Sequence, residues 1–455
     1  GSFEGLDVPP TLVSFATAIG NTRDVQSPEF KKANSSVVIL RPNYKNGLPE
    51  IGSLISIYKT VEQMIDEGKV LAAATPGYGG VAEALFKMCV GNHVGLQLSN
   101  DIDLNDLFKP AYGAVILELL DASAGEFLGF TTVDYTLEAE GKAIDLARLQ
   151  ELWEQKLEPV FPYRKAGEFV PALEHDCPAN KRVAPSVRLA TPRVVIPVFP
   201  GTNCEYDTAR AFRRAGGDPH VLVLKNLTPA NVAESCEALV KELDEAQILM
   251  LPGGFSGGDE PDGSGKFIAA MFRNPRIKEE VMELLQKRDG LMIGICNGFQ
   301  ALIKLGLVPY GEIRDLTDSS PTLTHNTLGR HVSCMVTTRV ASNLSPWFNN
   351  VKVGDIHRIA VSHGEGRFVA DQEIIAKLRM RGQIATQYVD DDGKPSMQIP
   401  FNPNGSVNAI EGITSPDGRV LGKMGHSERI GEDIAKNVPG DKDQQLFEAG
   451  VAYYK

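Results

Sequence analysis

The chain has 455 residues, of which 42% are hydrophobic, and its net charge is −12 because 58 acidic residues outnumber 46 Lys and Arg. At about 150 residues per domain, this length predicts about three domains. The acidic balance argues against nucleic acid or an anionic membrane as the main partner. No apolar run reaches the length of a membrane span and no signal segment opens the chain, so we expect a cytoplasmic protein.

The six cysteines are too sparse for a disulfide scaffold, and none lies at zinc-binding spacing with histidine. Reduced thiols also favour the cytosol. The acidic run at 390–392 is interpreted as a solvated hairpin turn, so we predict no metal site. Because the first residue is Gly rather than Met, we expect a part of a longer protein.

The first 165 residues alternate strand and helix patterns, which predicts a mixed α/β domain. The predicted elements are strands Ser36–Leu40, Val94–Leu98 and Gly113–Leu120, and helices Leu54–Glu67, one starting after Gly80, and Leu146–Lys156. Residues 166–192 are rich in proline and lack periodicity, which indicates a linker or a docked connector. We therefore predict a first domain at 1–165, a linker at 166–192 and a second domain at 193–455.

From residue 193, continuous apolar strands alternate with helices. The predicted elements are strands Arg193–Phe199, His220–Leu224, Ile248–Leu251 and Leu291–Ile295, and helices Asp207–Ala215, Ala230–Leu243 and Ile277–Lys287. This pattern predicts a parallel sheet covered on both faces, with sites at the carboxyl ends of its strands. Beyond Thr322, shorter segments such as His331–Val340 and Ile384–Val389 predict an antiparallel extension.

Cys296 stands where an apolar strand turns sharply into a helix. Such an elbow lifts a nucleophile out of a sheet, and a helix N-terminus favours the thiolate. His426 and Glu428, which follow another predicted strand, offer a base and a carboxylate to orient it. Residues i and i+2 of an extended backbone point to the same side. These three residues therefore predict a nucleophilic triad.

The glycine-rich loop Pro252–Asp259 also follows a predicted strand. Alone it is typical of a plain strand-to-helix turn, but its position ahead of the elbow cysteine favours a functional role. Glycine lets the backbone turn its N–H groups towards a ligand, so this loop and the N–H of Asn297 can form an oxyanion hole. The loop is not a Walker A motif. Two glycines that follow His363, Gly364 and Gly366, predict a ligand-facing loop there rather than a general base.

Together these motifs resemble a known family. The segments Val198–Asp207 (VFPGTNCEYD), Pro252–Asp259 (PGGFSGGD) and Gly294–Gln300 (GICNGFQ) look like the class I, or triad, glutamine amidotransferases. The resemblance is narrowed to the glutaminase of the phosphoribosylformylglycinamidine synthase family by Ser362–Phe368 (SHGEGRF), Asn402–Ser406 (NPNGS) and Gly418–Arg429 (GRVLGKMGHSER). In the first half, residues 9–16 and Gly77–Leu96 resemble the end of that family's synthetase, which is related to aminoimidazole ribonucleotide synthetase.

The resemblance implies an α/β protein. A doubly wound parallel sheet with an antiparallel extension would follow an α+β domain like the C-terminal domain of aminoimidazole ribonucleotide synthetase. It implies Cys296 as nucleophile, His426 as acid and base, and Glu428 as the orienting group. The residues that would bind the oxyanion are Gly254 and Asn297, and those that would hold the glutamine are Gln300, Ser362, Gly364 and Glu365.

The implied partners are L-glutamine and the upstream synthetase part of the same enzyme. The glutaminase needs no cofactor, whereas ATP and magnesium are expected for the complete synthetase, which uses the ammonia to convert formylglycinamide ribonucleotide to its amidine. An alternative is another triad cysteine hydrolase or peptidase. In that reading the first domain serves as a non-catalytic scaffold or nucleotide-binding domain.

Two departures from the family pattern bear on these expectations. Gly425 and Ser427 replace the prolines of the usual Pro-His-Pro-Glu-Arg, which predicts a freer loop around His426. In the first half, Thr75–Gly80 replaces the usual Asp-x-Ser-Asp-Gly-Gly. The loss of those acids argues against a metal–nucleotide role for that loop.

Overall fold

A computed structural model describes residues 2–3, 6–7, 12–121, 124–159, 171–179, 182–256, 265–431, 434–436 and 438–455. The chain divides into two compact units, Gly1–Pro159 and Val160–Lys455. The domain limits at 165 and 192 stay predictions. Residues 9–11 of the first synthetase-like segment, residues 166–170 of the predicted linker and residues 257–259 of the glycine-rich loop lie outside the described residues. Within the described ranges, no helix has both the length and the apolarity to cross a membrane.

The first unit is built on a seven-stranded sheet. The strands of this unit are β1 (Ser2–Phe3), β2 (Leu6–Asp7), β3 (Ser36–Leu40), β4 (Tyr44–Lys45), β5 (Leu48–Pro49), β6 (Val70–Ala74), β7 (Gly95–Leu98), β8 (Val115–Leu119), β9 (Glu126–Thr132), β10 (Thr136–Ala139) and β11 (Lys142–Asp145). Its helices are α1 (Ile51–Asp66), α2 (Gly80–Val90) and α3 (Leu146–Gln155). The sheet order is β11-β10-β7-β9-β3-β8-β6, with only the β10–β7 pair parallel.

This mixture of helices and strands confirms the predicted α/β character of the first unit, while its synthetase-like identity stays a prediction. Strands β6 and β9 to β11 were not predicted from the sequence. Strand β6 is alanine-rich, and every residue of β11 is exposed, so neither has the alternation that marks a half-buried strand.

The second unit contains a nine-stranded sheet. The strands of this unit are β12 (Arg193–Val198), β13 (Asp218–Val223), β14 (Ile248–Leu251), β15 (Leu291–Ile295), β16 (Thr322–Thr324), β17 (Val332–Val340), β18 (Ile356–His363), β19 (Arg367–Val369), β20 (Ile384–Tyr388), β21 (Ile410–Thr414) and β22 (Val420–Lys423). Its helices are α4 (Glu205–Ala215), α5 (Pro229–Glu245), α6 (Lys266–Phe272), α7 (Pro275–Gln286), α8 (Asn297–Leu305), α9 (Leu307–Tyr310), α10 (Gln372–Met380) and α11 (Leu446–Ala452).

The sheet order is β13-β12-β14-β15-β22-β21-β20-β17-β18. The strands from β13 to β22 are parallel and those beyond β22 are antiparallel. Every residue of β14 and β15 is buried, as expected for strands covered on both faces. The predicted parallel sheet with an antiparallel extension is therefore confirmed.

The strand order determines where a site can form. Strands β12, β14, β15 and β22 are neighbours, and the loops after their carboxyl ends emerge at one edge of the sheet. Those loops carry the motifs that the sequence analysis singled out.

The described part of the predicted linker packs on the second unit. The backbone N–H of Leu173 donates to Oδ1 of Asn408 at 2.6 Å, and that of Cys177 donates to the carbonyl of Ala341 at 2.9 Å. Further along, the N–H of Leu189 donates to the carbonyl of Tyr454 at 2.8 Å. This segment is therefore bonded to the rest of the second unit, and its role as a linker stays a prediction.

Candidate active site

Cys296 occupies a strained turn between β15 and α8. Its backbone angles are φ 52° and ψ −106°, and a positive φ is unusual for a residue with a side chain. Its N–H donates to the carbonyl of Lys423 at 2.8 Å, which ties the turn to β22. A Cβ on Gly298 would lie 2.0 Å from the carbonyl oxygen of Leu251, so only glycine lets α8 approach β14 this closely. The predicted elbow is present.

His426 and Glu428 form a buried pair in the loop after β22. Nδ1 of His426 lies 2.6 Å from Oε1 of Glu428, and the two residues are 2% and 1% exposed. Burial opposes protonation of the imidazole, but the Glu428 carboxylate and the Cys296 thiol outweigh it and raise the pKa of His426 well above its usual value. Burial favours the neutral acid of Glu428, but the charge of His426 outweighs it and lowers the pKa of Glu428. At neutral pH the pair is therefore an imidazolium and a carboxylate.

Gly253 lies against both the nucleophile and the base. A Cβ placed on it would lie 2.8 Å from Cε1 of His426 and 3.5 Å from Cβ of Cys296. The thiol itself is 3.6 Å from the carbonyl oxygen of Ser362 on β18. The structure thus brings Cys296, His426 and Glu428 together, as the sequence predicted, with a glycine lining the gap.

The two predicted oxyanion donors lie on converging backbone segments. Gly254 has φ 142°, and a Cβ there would lie 2.6 Å from the carbonyl oxygen of Gly201 in the loop after β12. The N–H of Phe255 donates to that same carbonyl at 2.8 Å, which fixes the loop. Asn297 is the first residue of α8, so its N–H has no acceptor within the helix. Both donors therefore belong to the edge of the sheet where Cys296 emerges.

The four residues predicted to hold glutamine lie on α8, near the end of β18 and just after it, and each is already bonded within the protein. Gln300 is buried, accepts from Nδ2 of Asn297 at 3.0 Å and donates to the backbone carbonyl of Glu365. The hydroxyl of Ser362 is 3.0 Å from Nε2 of His331. We refer to these four residues as the wall. The bond from Gln300 to the carbonyl of Glu365 joins α8 to the segment after β18.

Gly364 is fixed in the same wall, since its carbonyl accepts the N–H of Asn326 at 2.8 Å. The carboxylate of Glu365 is buried and lies 3.5 Å from Nε2 of His325. The glutamine-binding roles of these residues stay predictions.

Cys204 is a site residue that the sequence reasoning missed. It precedes α4, is 1% exposed, and places its Sγ 3.9 Å from Nδ1 of His426. The guanidinium of Arg429 donates to that sulfur at 3.2 Å. Both residues occur in the family-like motifs, but spacing in sequence gave no sign that they meet.

The ligating atoms of Cys204, His426 and Glu428 all lie within 4.8 Å of one another. These are residue types that bind zinc. The absence of a metal from the glutaminase stays a prediction.

His363 has a buried side chain, and the ligand-facing role that the sequence predicts for its loop stays a prediction. It ends β18, is buried, and neither ring nitrogen has a hydrogen-bond partner among the described residues. Burial, reinforced by the nearby charges of His426 and His331, lowers the pKa of His363 to about 3. The ring is therefore neutral at physiological pH.

The loop around His426 is held by hydrogen bonds, contrary to the prediction that the loss of its two prolines leaves it freer than the loop of the family pattern. The N–H of Gly425 donates to Oε1 of Glu411 at 2.6 Å, and the N–H of His426 donates to the carbonyl of Ala360 at 2.8 Å. The hydroxyl of Ser427 donates to Oε1 of Gln444 at 2.6 Å. Hydrogen bonds replace the rigidity that proline would supply.

A cysteine elbow beside a buried His–Glu pair, at the carboxyl edge of a parallel sheet, defines a triad amidotransferase site. Residues 191–454 match the family model of the CobB/CobQ-like glutamine amidotransferase domain, and the chain belongs to that family.

Two sequence relatives and one solved structure are similar to part of this chain. The chain is 32% identical to phosphoribosylformylglycinamidine synthase subunit PurQ of Methanococcus maripaludis over 281 residues, which are 58% of this chain and 97% of that protein. It is 36% identical to the subunit of the same name from Treponema denticola over 282 residues, 58% of this chain and 98% of the relative. Among solved structures, PurLQS from Thermotoga maritima is 28% identical with a TM-score of 0.43, covering 58% of this chain and 100% of that one.

Proposed function

We propose that this chain carries the glutaminase part of phosphoribosylformylglycinamidine synthase, and that its second unit hydrolyses L-glutamine through a thioester on Cys296. The observation that carries the proposal is the strained elbow of Cys296 beside the buried His426–Glu428 pair. The relatives that span the second unit are named as a subunit of that synthase, which supports the choice of enzyme.

In the first half of the reaction, the Cys296 thiolate attacks the side-chain carboxamide carbon of glutamine. The tetrahedral oxyanion accepts hydrogen bonds from the N–H groups of Gly254 and Asn297, and each such donor is worth on the order of 10²–10³ in rate. The C–N bond then breaks, and the nitrogen leaves as ammonia with the proton given up by His426.

In the second half, His426 acts as a base. It takes a proton from water, and the resulting hydroxide attacks the thioester carbon. The C–S bond breaks, which restores the Cys296 thiolate and leaves His426 as the imidazolium. The product leaves as the side-chain carboxylic acid and gives its proton to solvent to become glutamate. Glu428 keeps one imidazole nitrogen bonded throughout, which frees Nε2 for both proton transfers.

Gln300, Ser362, Gly364 and Glu365 form the wall that would hold the substrate glutamine. The side-chain amide of Gln300 is hydrogen-bonded to Asn297 and to the carbonyl of Glu365, so its role is to fix the shape of that wall.

The ammonia would serve the synthetase part of the same enzyme, which uses ATP and magnesium. The loop Thr75–Gly80 of the first unit does not fit a magnesium–nucleotide complex. Its neighbouring carboxylate, Glu83, accepts the N–H of Gly79 at 2.8 Å and pairs with Lys87 at 2.7 Å. We assign the first unit as the end of a synthetase-like part because of its sequence resemblance. Since the loop does not fit the nucleotide complex, we derive no step through it.

Ammonia and glutamate release from L-glutamine tests the proposal against its rival, a triad cysteine hydrolase or peptidase. The proposal expects release that depends on Cys296 and no cleavage of an unrelated peptide panel. Peptide cleavage without ammonia release would favour the rival.

A further inference from the structure

A charged pair with no solvent access lies beneath the loop that carries His426. Lys423 ends β22 and Glu411 lies in the neighbouring β21; both side chains are 0% exposed, and Nζ is 3.3 Å from Oε1. Burying two charges costs several kcal/mol per ion unless further hydrogen bonds satisfy them. The partners of this pair therefore indicate what it is for.

Most hydrogen bonds of the Lys423–Glu411 pair are made with the residues on either side of His426. Nζ of Lys423 donates to the carbonyl of Gly425 at 2.8 Å and to the hydroxyl of Ser427 at 3.0 Å. Together with Glu411, these contacts use all three donors of the ammonium. Oε1 of Glu411 accepts the N–H of Gly425 at 2.6 Å, and its other oxygen accepts the hydroxyl of Thr386.

The same contacts explain why glycine and serine stand here in place of the prolines of the related pattern. Proline at position 425 would have no N–H for Glu411. A Cβ there would lie 2.8 Å from Cγ2 of Ile359 and 3.0 Å from Nζ of Lys423. Proline at position 427 would remove the hydroxyl that accepts from Lys423 and donates to Gln444. The buried ion pair therefore depends on having residues other than proline at positions 425 and 427.

We infer that Lys423 and Glu411 are positioning residues for His426, which hold the backbone before it and the side chain after it so that the imidazole stays between Glu428 and Cys296. The ammonium and the carboxylate touch neither the reacting atoms nor the wall predicted to hold glutamine. Their effect on catalysis passes through the loop. This inference rests on the proposed glutaminase function.

The test uses the double variant Lys423→Met/Glu411→Gln, which removes both charges at once and leaves neither one buried alone. Displacing a catalytic group by about 1 Å costs on the order of 10²-fold in rate, so we expect kcat for glutamine hydrolysis to fall by about that factor. KM should stay within about threefold, since the substrate wall is untouched. Ser427→Ala, which removes one hydrogen bond, gives a smaller loss in the same direction and serves if the double variant fails to fold.

A pH profile separates positioning from stability. The Glu428 and Cys296 charges raise the pKa of His426, so an imidazole that drifts from them loses part of that rise. We therefore measure the rate at which a glutamine-mimicking chloroketone alkylates Cys296 as a function of pH. The pH above which this rate falls, the alkaline limb, should be lower in the variants than in the wild type. The matched control is Arg419→Met, which breaks the pair between Arg419 and Asp289, 2.7 Å apart, just before the same strand.

The inference would be overturned if the double variant kept the wild-type kcat. It would also be overturned if the double variant lost no more kcat than Arg419→Met and its alkaline limb did not move. Failure of the proposed function looks different: the wild type would then release no ammonia from glutamine. The alkylation profile would still report on the position of His426.

Discussion

Sγ of Cys204 lies 3.9 Å from Nδ1 of His426, although 222 residues separate them in the chain. One residue follows the loop after β12, and the other follows β22. Arg429 donates to the same sulfur, so the Glu428 side of the imidazole is packed by a thiol and a guanidinium. The base therefore has a buried thiol beside its orienting nitrogen in addition to the nucleophile at the elbow.

Only one of these two thiols should react quickly. We expect a glutamine-mimicking chloroketone to alkylate Cys296 first, because it stands at a helix N-terminus next to an imidazolium. Cys204 is 1% exposed and already bonded to Arg429. Peptide mapping by mass spectrometry checks this, and equal labelling of both cysteines would contradict it.

Gly253→Ala should abolish most activity without unfolding the protein. Its backbone suits any residue, but the added methyl would lie 2.8 Å from Cε1 of His426 and must push the ring aside. We expect a loss in kcat/KM on the order of 10²-fold. Gly52→Ala, where a Cβ would meet nothing within 4 Å, is the control and should keep full activity. A fully active Gly253→Ala would show that the gap between base and nucleophile is wider than the structure has it.

Substitutions of the three triad residues should reduce glutamine hydrolysis to different extents. Cys296→Ser and His426→Ala each should abolish glutamine hydrolysis, because one forms the thioester and the other moves both protons. Glu428→Ala should cost less, as orienting groups do in comparable triads. Steady-state kinetics of the three variants decides it. If Glu428→Ala were as inactive as Cys296→Ser, Glu428 would do more than orient.

His363 should make stability depend on pH. The folded protein holds this ring neutral down to about pH 3, whereas in the unfolded chain it is protonated below about 6.5. The unfolded state therefore binds one more proton in that window, so the contribution of His363 to stability is full above pH 6.5 and is lost as the pH falls towards 3. The slope is at most about 1.4 kcal/mol per pH unit.

Chemical denaturation between those pH values measures this slope. His363→Asn should flatten the dependence of the unfolding free energy on pH, because it removes the group that takes up the extra proton in the unfolded chain. An unchanged slope in His363→Asn would mean that the ring is protonated in the folded state.

The parallel sheet could be predicted from sequence because its strands are continuous apolar runs. The predicted bounds of Ile248–Leu251 and Leu291–Ile295 match β14 and β15 residue for residue. The elbow and the His-x-Glu pair were visible for a related reason, since each is local in sequence. Helix α6 was missed because seven residues carry little periodicity.

What depends on strand order could not be predicted. Nothing in the spacing of Cys204 and His426 places them in contact; the adjacency of β12, β14, β15 and β22 does. The side chains of Lys423 and Glu411 meet because β21 and β22 are neighbouring strands, with Gly412, the residue next to Glu411, paired to Lys423. A lysine in a strand would ordinarily be assigned to the surface. The missing prolines predicted a loose loop only because that buried pair was not visible.

The most direct measurement follows the amide nitrogen of isotope-labelled glutamine through the complete enzyme, with formylglycinamide ribonucleotide, ATP and magnesium. We expect label in the amidine product with the wild type and none with Cys296→Ser. The same variant should still form the amidine from added ammonium salt. Equal incorporation of glutamine nitrogen by both would contradict the claim that Cys296 supplies the ammonia.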